Sequence, residues 1–350
     1  MADLQSAALA ARSLDRRGLR QLSRFVVGRY LRREKIASSI QLGVTYGCQA
    51  SCHHCSADKA EFIEPAETRR EHRLDEIETI LDELVAMKVP RVHLVGGEPT
   101  LRADIEQIID ASVSRGLVTL LETNAMDLDL SIIRPRKNFI LATSLDYPDA
   151  ARHDRYRGLP GCFDRVLALL RHCEAQGVPF LVSTWVSHKD FDKVLAFDRL
   201  IAGMKHSLGV RVLILRPSGR LLKHERLTLT RDIRAAYKQA ARGTRVWFGG
   251  YFGEPQCHLQ TGEYFHVNAY GDVMGCQYIP LKFGNLRERP LRRVLDEMYA
   301  TDLFDHEVPR CLLEDGDFMR RVRQTPGTHP VSAQDMARRT GPLPDFARAR

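Results

Sequence analysis

The chain has 350 residues, 44% of them hydrophobic and 27% charged, with a net charge of +8. That size allows about two domains or one α/β barrel, and a core large enough to need no disulfide staples. The eight cysteines come with no apolar N-terminal stretch long enough for a signal peptide and no run long enough to cross a bilayer. This excludes a secreted disulfide framework and a helical membrane protein, and predicts a soluble cytoplasmic chain whose thiols stay reduced or bind metal.

Residues 1–37 read as a basic helical segment. In "LDRRGLRQLSRFVVGRYLRREK", Leu19, Leu22, Phe25, Val26 and Tyr30 fall near helical spacing among arginines. Such a face suits a membrane surface or an acidic substrate; the plainer expectation is a helix packed on the base of the fold with its arginines in water. Positive charge alone raises an RNA partner. No basic stripe with interleaved aromatics accompanies it, so nucleic acid is not expected.

From residue 38 to 243 short apolar runs alternate with helical patterns. The runs are "IQLGVTY", "RVHLVGG", "VTLLETN", "FILATSLD", "PFLVSTWVS" and "VRVLILRP", and "LDEIETILDELVAMK" is typical of what separates them. Strands alternating with helices of this length predict βαβ units, a parallel sheet and an open, partial barrel. Its chemistry belongs at the C-terminal ends of the strands. The distinctive residues sit there: "CQASCHHC" after the first run, "GGEP" after the second, "TNAM" after the third and "SLDYPD" after the fourth.

The loop "CQASCHHC" puts Cys48, Cys52 and Cys55 within reach of one metal centre. A zinc site would take His53 or His54 as a fourth ligand. Cys52 and Cys55 also read as a redox CxxC. A four-iron cluster is the third reading, and three thiolates would leave one iron open for a substrate. Spacing does not choose among them. In "GGEP", Gly96 and Gly97 allow close approach to the backbone, and Glu98 offers a carboxylate to an amino group.

CxxxCxxC followed by GGEP, each after a predicted strand, resembles the radical SAM superfamily. The resemblance implies a partial (β/α)6 barrel. It also implies a 4Fe–4S cluster on Cys48, Cys52 and Cys55, with the methionine part of S-adenosylmethionine on the fourth iron and its amino group at Gly96, Gly97 and Glu98. His54 matches the position before the third cysteine whose backbone touches the adenine. Ser144 and Asp146 match the ribose-binding position, and Ser183 and Arg216 are further cofactor-binding candidates. His53 reads as a solvated loop residue.

Residues 244–324 change character. "CHLQTGEYFHVNAYGDVMGC", Cys257 to Cys276, is similar to the opening of SPASM and Twitch extensions, small β-hairpin-and-helix domains that hold auxiliary 4Fe–4S clusters. "EYFHVN", a turn at "AYGD" and "VMGC" read independently as a hairpin. A full SPASM pattern continues with several closely spaced cysteines, and here only Cys311 follows. One auxiliary cluster on Cys257, Cys276 and Cys311 is expected, with an open iron or a non-cysteine fourth ligand such as His258. The alternatives are Cys311 as a hydrogen donor to a substrate radical, or a buried thiol. Cys162 and Cys173 read as core thiols. Residues 325–350, rich in Pro, Gly and Arg, are expected to be a loose tail.

The resemblance implies an enzyme that cleaves S-adenosylmethionine reductively and takes a hydrogen atom from a peptide or small-molecule substrate of a natural-product or cofactor pathway. A low-potential donor such as flavodoxin or ferredoxin would supply the electron. Only 47 residues precede Cys48, so a leader-binding domain is expected to be a separate partner, and no cobalamin-binding domain is expected. A non-catalytic iron–sulfur carrier or scaffold and an RNA-modifying radical SAM enzyme remain as other readings.

Overall fold

Strand β1 (Ser39–Thr45) points successive side chains to opposite faces of the sheet. Ile40, Leu42 and Val44 are fully buried in the main core, while Gln41 and Gly43 alternate with them on the other face. The structure, a computed structural model, describes residues 11–56, 69–187, 190–215, 218–223, 231–249, 262–304, 312–325 and 330–340. After β1 come β2 (Arg91–Gly96), β3 (Val118–Thr123), β4 (Phe139–Ser144), β5 (Phe180–Val186) and β6 (Ser207–Ile214). Each hydrogen-bonds in parallel to the next strand in the chain.

An N-terminal helix, α1 (Arg16–Val26), precedes β1. Helices α2 (Leu74–Ala86), α3 (Ile105–Ser114), α4 (Ala150–Arg157), α5 (Cys162–Gln176) and α6 (Phe191–Leu200) lie between the strands. α7 (Arg231–Ala240) follows β6. The helix-facing residues of the strands join the main core. On the opposite face Leu120, Ala142, Leu181 and Leu208 form a separate apolar plug. This is the predicted partial barrel.

The sheet is longer than six strands. β7 (Val246–Phe248) pairs in parallel with β6, so the barrel sheet runs past the boundary expected at 243. Beyond it, β8 (Tyr264–Val267), β9 (Asp272–Met274) and β10 (Leu281–Asn285) make antiparallel pairs, β8 with β9 and β9 with β10. β8 also lies parallel to β1, so the C-terminal hairpin extends the barrel's own sheet and covers the β1 edge. An open edge is a template for further pairing, which gives the hairpin a reason to dock there.

The tail is not loose where it is described. β11 (Val331–Ser332) adds to β10, and α10 (Ala333–Thr340) buries Met336. It follows α8 (Leu291–Tyr299) and α9 (Gly316–Gln324), the latter capped by Asp315.

α1 packs by a different face from the one its apolar spacing suggests. Gly18, Gln21 and Phe25 are buried, whereas Leu19, Val26 and Tyr30 are 50%, 42% and 64% exposed. Hydrogen bonding and close approach decide the orientation. The Gln21 amide donates to the Val85 and Val89 carbonyls at the end of α2. A Cβ at Gly18 would lie 2.2 Å from Asn138 Oδ1.

Candidate active site

The cysteine loop leaves β1 and is held by two other segments. Ser51 N–H donates to the Arg157 carbonyl (2.9 Å) and His53 N–H to the Tyr156 carbonyl (3.2 Å), both at the end of α4. From the segment after β6, Arg220 N–H donates to the Cys55 carbonyl (3.1 Å), and the Arg220 guanidinium donates to the Cys52 carbonyl (3.1 Å). Cys48 is exposed, Cys52 buried and Cys55 half-buried.

The GGEP turn lies against this loop. Gly97 N–H donates to the Thr45 carbonyl (2.8 Å) and Glu98 N–H to the Gly47 carbonyl (2.7 Å). A Cβ at Gly96 would sit 2.0 Å from the Thr45 carbonyl oxygen, and one at Gly97 would sit 2.3 Å from that of Gly47. The two glycines thus let β2 close onto the cysteine loop, a role the sequence reading gave instead to ligand approach.

Glu98 is held by the chain's own donors. It is 1% exposed. One carboxylate oxygen accepts from the Thr100 N–H and hydroxyl and from the Thr123 hydroxyl, and the other accepts from Asn124 N–H at 2.7 Å. A carboxylate has about four acceptor positions, so the chain's own donors fill nearly all of them. Burial pushes this carboxyl up, against the pull of the bonds from Asn124, Thr100 and Thr123. Glu98 ties the GGEP turn to the end of β3, the "TNAM" stretch.

Asp146 and Ser183 are engaged in the same way. Asp146, 1% exposed, accepts from Arg157 Nε at 2.6 Å. Burial alone would raise its carboxyl, but the Arg157 guanidinium and His54 offset this and hold it below the usual range. Ser183 Oγ accepts from Arg211 Nε (3.1 Å) and Nη2 (2.8 Å), and Arg211 also pairs with Glu122 on β3 at 2.9 Å.

A cavity of about 460 Å³ at the C-terminal ends of the strands joins these groups. Cys48, Cys52 and Cys55, Gly96 to Glu98, His54, Ser144, Asp146 and Ser183 all line it. So do Gln277 and Tyr278, next to Cys276 in the C-terminal segment. Cys276 is half-buried and its sulfur accepts from Tyr278 N–H at 3.4 Å. Arg216, Cys257 and Cys311 lie outside the described residues. Cys162 and Cys173 are fully buried in the main core, where burial pushes both thiols up to about 12, as core thiols should be.

Sequence reasoning missed the aromatic group that backs His54 and Trp185, two residues of the cavity lining. Tyr156 stacks on His53, His54 and Trp185, with ring centroids 5.3, 5.2 and 5.0 Å apart. Lys193 Nζ lies 3.4 Å from the centre of the Trp185 ring. Burial pushes His54 down to about 4, so the imidazole is neutral. Tyr156 and Trp185 fit the core pattern of α4 and β5, and nothing local marks Trp185 as a cavity residue.

Among the described residues, no three His, Cys, Asp or Glu side chains come close enough to hold a single metal ion. The loop is therefore no ready-made mononuclear zinc site. A four-iron cluster asks for less convergence, because each thiolate takes a different iron. Cys48, Cys52 and Cys55 fit that demand, and the Arg157 guanidinium donating to Cys52 Sγ at 3.6 Å suits a sulfur carrying negative charge.

Comparison with known proteins agrees with this geometry. A model of the radical SAM superfamily matches residues 42–199, and SPASM, an iron–sulfur cluster-binding domain, matches residues 257–313. The chain thus carries a radical SAM domain followed by a C-terminal SPASM domain. It is 26% identical to the AdoMet-dependent heme synthase of Methanosarcina barkeri over 72% of this chain and 80% of that one. With the mycofactocin maturase MftC of Mycolicibacterium smegmatis it shares 28% identity over 51% of this chain and 44% of that one. Other heme synthases are matched over less than half their length.

Among solved structures, Streptococcus suis SuiB bound to its precursor peptide SuiA superposes with a TM-score of 0.63 at 17% identity, over 81% of this chain and 70% of that one. The enzyme anSMEcpe with bound AdoMet and a peptide gives 0.56 at 17% identity, over 76% and 80%. These likenesses show the fold. The two domains make the chain an enzyme of S-adenosylmethionine and 4Fe–4S clusters, an auxiliary cluster included. No described helix is long and apolar enough to cross a membrane.

Proposed function

We propose that this protein cleaves S-adenosylmethionine reductively and takes a hydrogen atom from a peptide or small-molecule substrate in a natural-product or cofactor pathway. Cys48, Cys52 and Cys55 would hold the cluster, which when bound would supply the electron for reductive cleavage of S-adenosylmethionine. The observation that carries the reading is the shared cavity. The three thiols, the GGEP turn and Gln277 and Tyr278 of the SPASM segment border one space, so a substrate held from the SPASM side meets the cofactor within it.

The chain's own residues shape that space. The buried plug of Leu120, Ala142, Leu181 and Leu208 lies on strands β3 to β6, whose residues Glu122, Ser144, Ser183 and Arg211 line the cavity. Above the plug, Glu122, Ser183 and Arg211 form a linked polar layer, a surface suited to the polar end of a substrate. A flavodoxin or ferredoxin would deliver the electron. SuiB with its precursor peptide and the mycofactocin maturase support a peptide substrate, while the heme synthases support a cofactor precursor.

The test is anaerobic incubation of the reconstituted protein with a strong reductant and S-adenosylmethionine, with precursor peptides and iron porphyrins, each deuterated, as separate additions. Formation of 5′-deoxyadenosine is expected in the wild type and not in a Cys48/Cys52/Cys55→Ala variant. Deuterium in the 5′-deoxyadenosine would identify the substrate class. Wild-type protein that holds its iron and yields no 5′-deoxyadenosine would mark a non-catalytic electron carrier instead.

A further inference from the structure

The last turn of α4 grips the cysteine loop through three consecutive residues. The Tyr156 and Arg157 carbonyls accept from His53 and Ser51, on either side of Cys52. Gly158 follows at φ +60°, and a Cβ there would lie 1.9 Å from Ser51 Oγ. Between these backbone bonds the Arg157 side chain runs inward, 8% exposed. Its Nε donates to Asp146 Oδ2 at 2.6 Å and its Nη1 to Cys52 Sγ at 3.6 Å. The guanidinium therefore stands between a carboxylate and a cysteine sulfur, with Asp146 fixing its direction.

We propose that Arg157 is a positioning residue that sets the reduction potential of the cluster held by Cys48, Cys52 and Cys55, and that Asp146 holds it in place and opposes its charge. The inference rests on reading those cysteines as cluster ligands. A guanidinium cannot give up its proton, so it presents a permanent positive charge and a donor to the Cys52 sulfur. Hydrogen bonds to cluster sulfurs and local charge set cluster potentials. The reduced cluster carries one more negative charge and gains more from a nearby cation, so Arg157 raises the potential. Asp146 lies on the far side of the guanidinium from the sulfur and pulls the other way. The two residues should therefore shift the potential in opposite directions, which a purely structural clamp would not do.

The experiment is a redox titration of reconstituted wild type, Arg157→Gln, Arg157→Lys and Asp146→Asn, with iron content measured on each. It follows the electron paramagnetic resonance signal that is absent from the Cys48/Cys52/Cys55→Ala variant. The expected result at equal iron loading is a more negative midpoint for Arg157→Gln, a less negative one for Asp146→Asn, and partial return toward wild type in Arg157→Lys. Midpoints that coincide with wild type, even with lowered thermal stability, would overturn the proposal and leave Arg157 a structural clamp. Should Arg157→Gln fail to load, Asp146→Asn decides, and an unmoved midpoint there overturns it equally. Wild type that showed no signal dependent on the three cysteines would overturn the cluster reading itself.

Discussion

Glu98, a residue of the GGEP motif, also serves the fold. Its carboxylate is filled by donors from Thr100, Thr123 and Asn124, so its first task is to fix the GGEP turn against β3. Glu98→Gln keeps the shape but turns one acceptor into a donor facing donors. Hydrogen bonds to a buried charge are worth about 1.5–3 kcal/mol each, so a loss of about 3 kcal/mol in unfolding free energy is expected. S-adenosylmethionine binding should weaken with it, because the turn beside the cofactor loosens. Thermal unfolding and equilibrium binding on the same sample check this. Unchanged stability with weakened binding would restore the direct contact between carboxylate and amino group that the sequence suggests.

At the scale of elements, the crossing of the GGEP turn and the cysteine loop is the tightest backbone approach in the site. Gly97→Ala would put a Cβ 2.3 Å from the Gly47 carbonyl oxygen and 2.7 Å from that of Tyr46, and backbone on both sides leaves no flexible group to yield. The expected cost is roughly 2–4 kcal/mol of stability, the range of overpacking and broken backbone contacts, with reduced iron uptake. Gly203→Ala, which meets nothing within 4 Å, should change neither. Equal melting temperatures and iron contents for the two variants would contradict this account of the turn.

The elements themselves were largely legible. The barrel strands and helices follow from periodicity, and the cysteine loop and GGEP turn fall at strand ends because parallel sheets gather their chemistry there. What stayed hidden depends on partners distant in sequence. Arg157 and Cys52 are 105 residues apart, and nothing local in "HDRYRG" announces their contact. The docking of β8 on β1 is a choice among edges that strand pattern does not encode. α10 escaped notice because polar and charged residues surround its few apolar ones, Ala333 and Met336 among them. The face of α1 was only partly legible, because Gly18 and Gln21 are buried beside Phe25 while Leu19 and Val26 stay exposed.

For the whole molecule, buried neutral histidines set the acid limit. Burial holds His72, His93, His153 and His266 down to about 4, against 6.5 for a free imidazole. The unfolded chain therefore binds more protons between those values. The stability these residues contribute is full above pH 6.5 and is lost as pH falls toward 4. At pH 5 the loss is up to about 2 kcal/mol for each histidine. Melting temperature should be flat above neutrality and fall steeply from pH 6.5 to 5. A flat profile through that range would contradict the burial of these imidazoles.

The central claim is that Cys48, Cys52, Cys55 and the GGEP turn form one site for a cluster and S-adenosylmethionine. The most direct measurement is the electron paramagnetic resonance spectrum of the reduced, reconstituted protein with and without S-adenosylmethionine, in the wild type and in Cys48/Cys52/Cys55→Ala. The account expects the wild-type spectrum to change on addition of S-adenosylmethionine, and the variant to lack both that signal and any response. A reduced wild-type signal that S-adenosylmethionine leaves unaltered would contradict it.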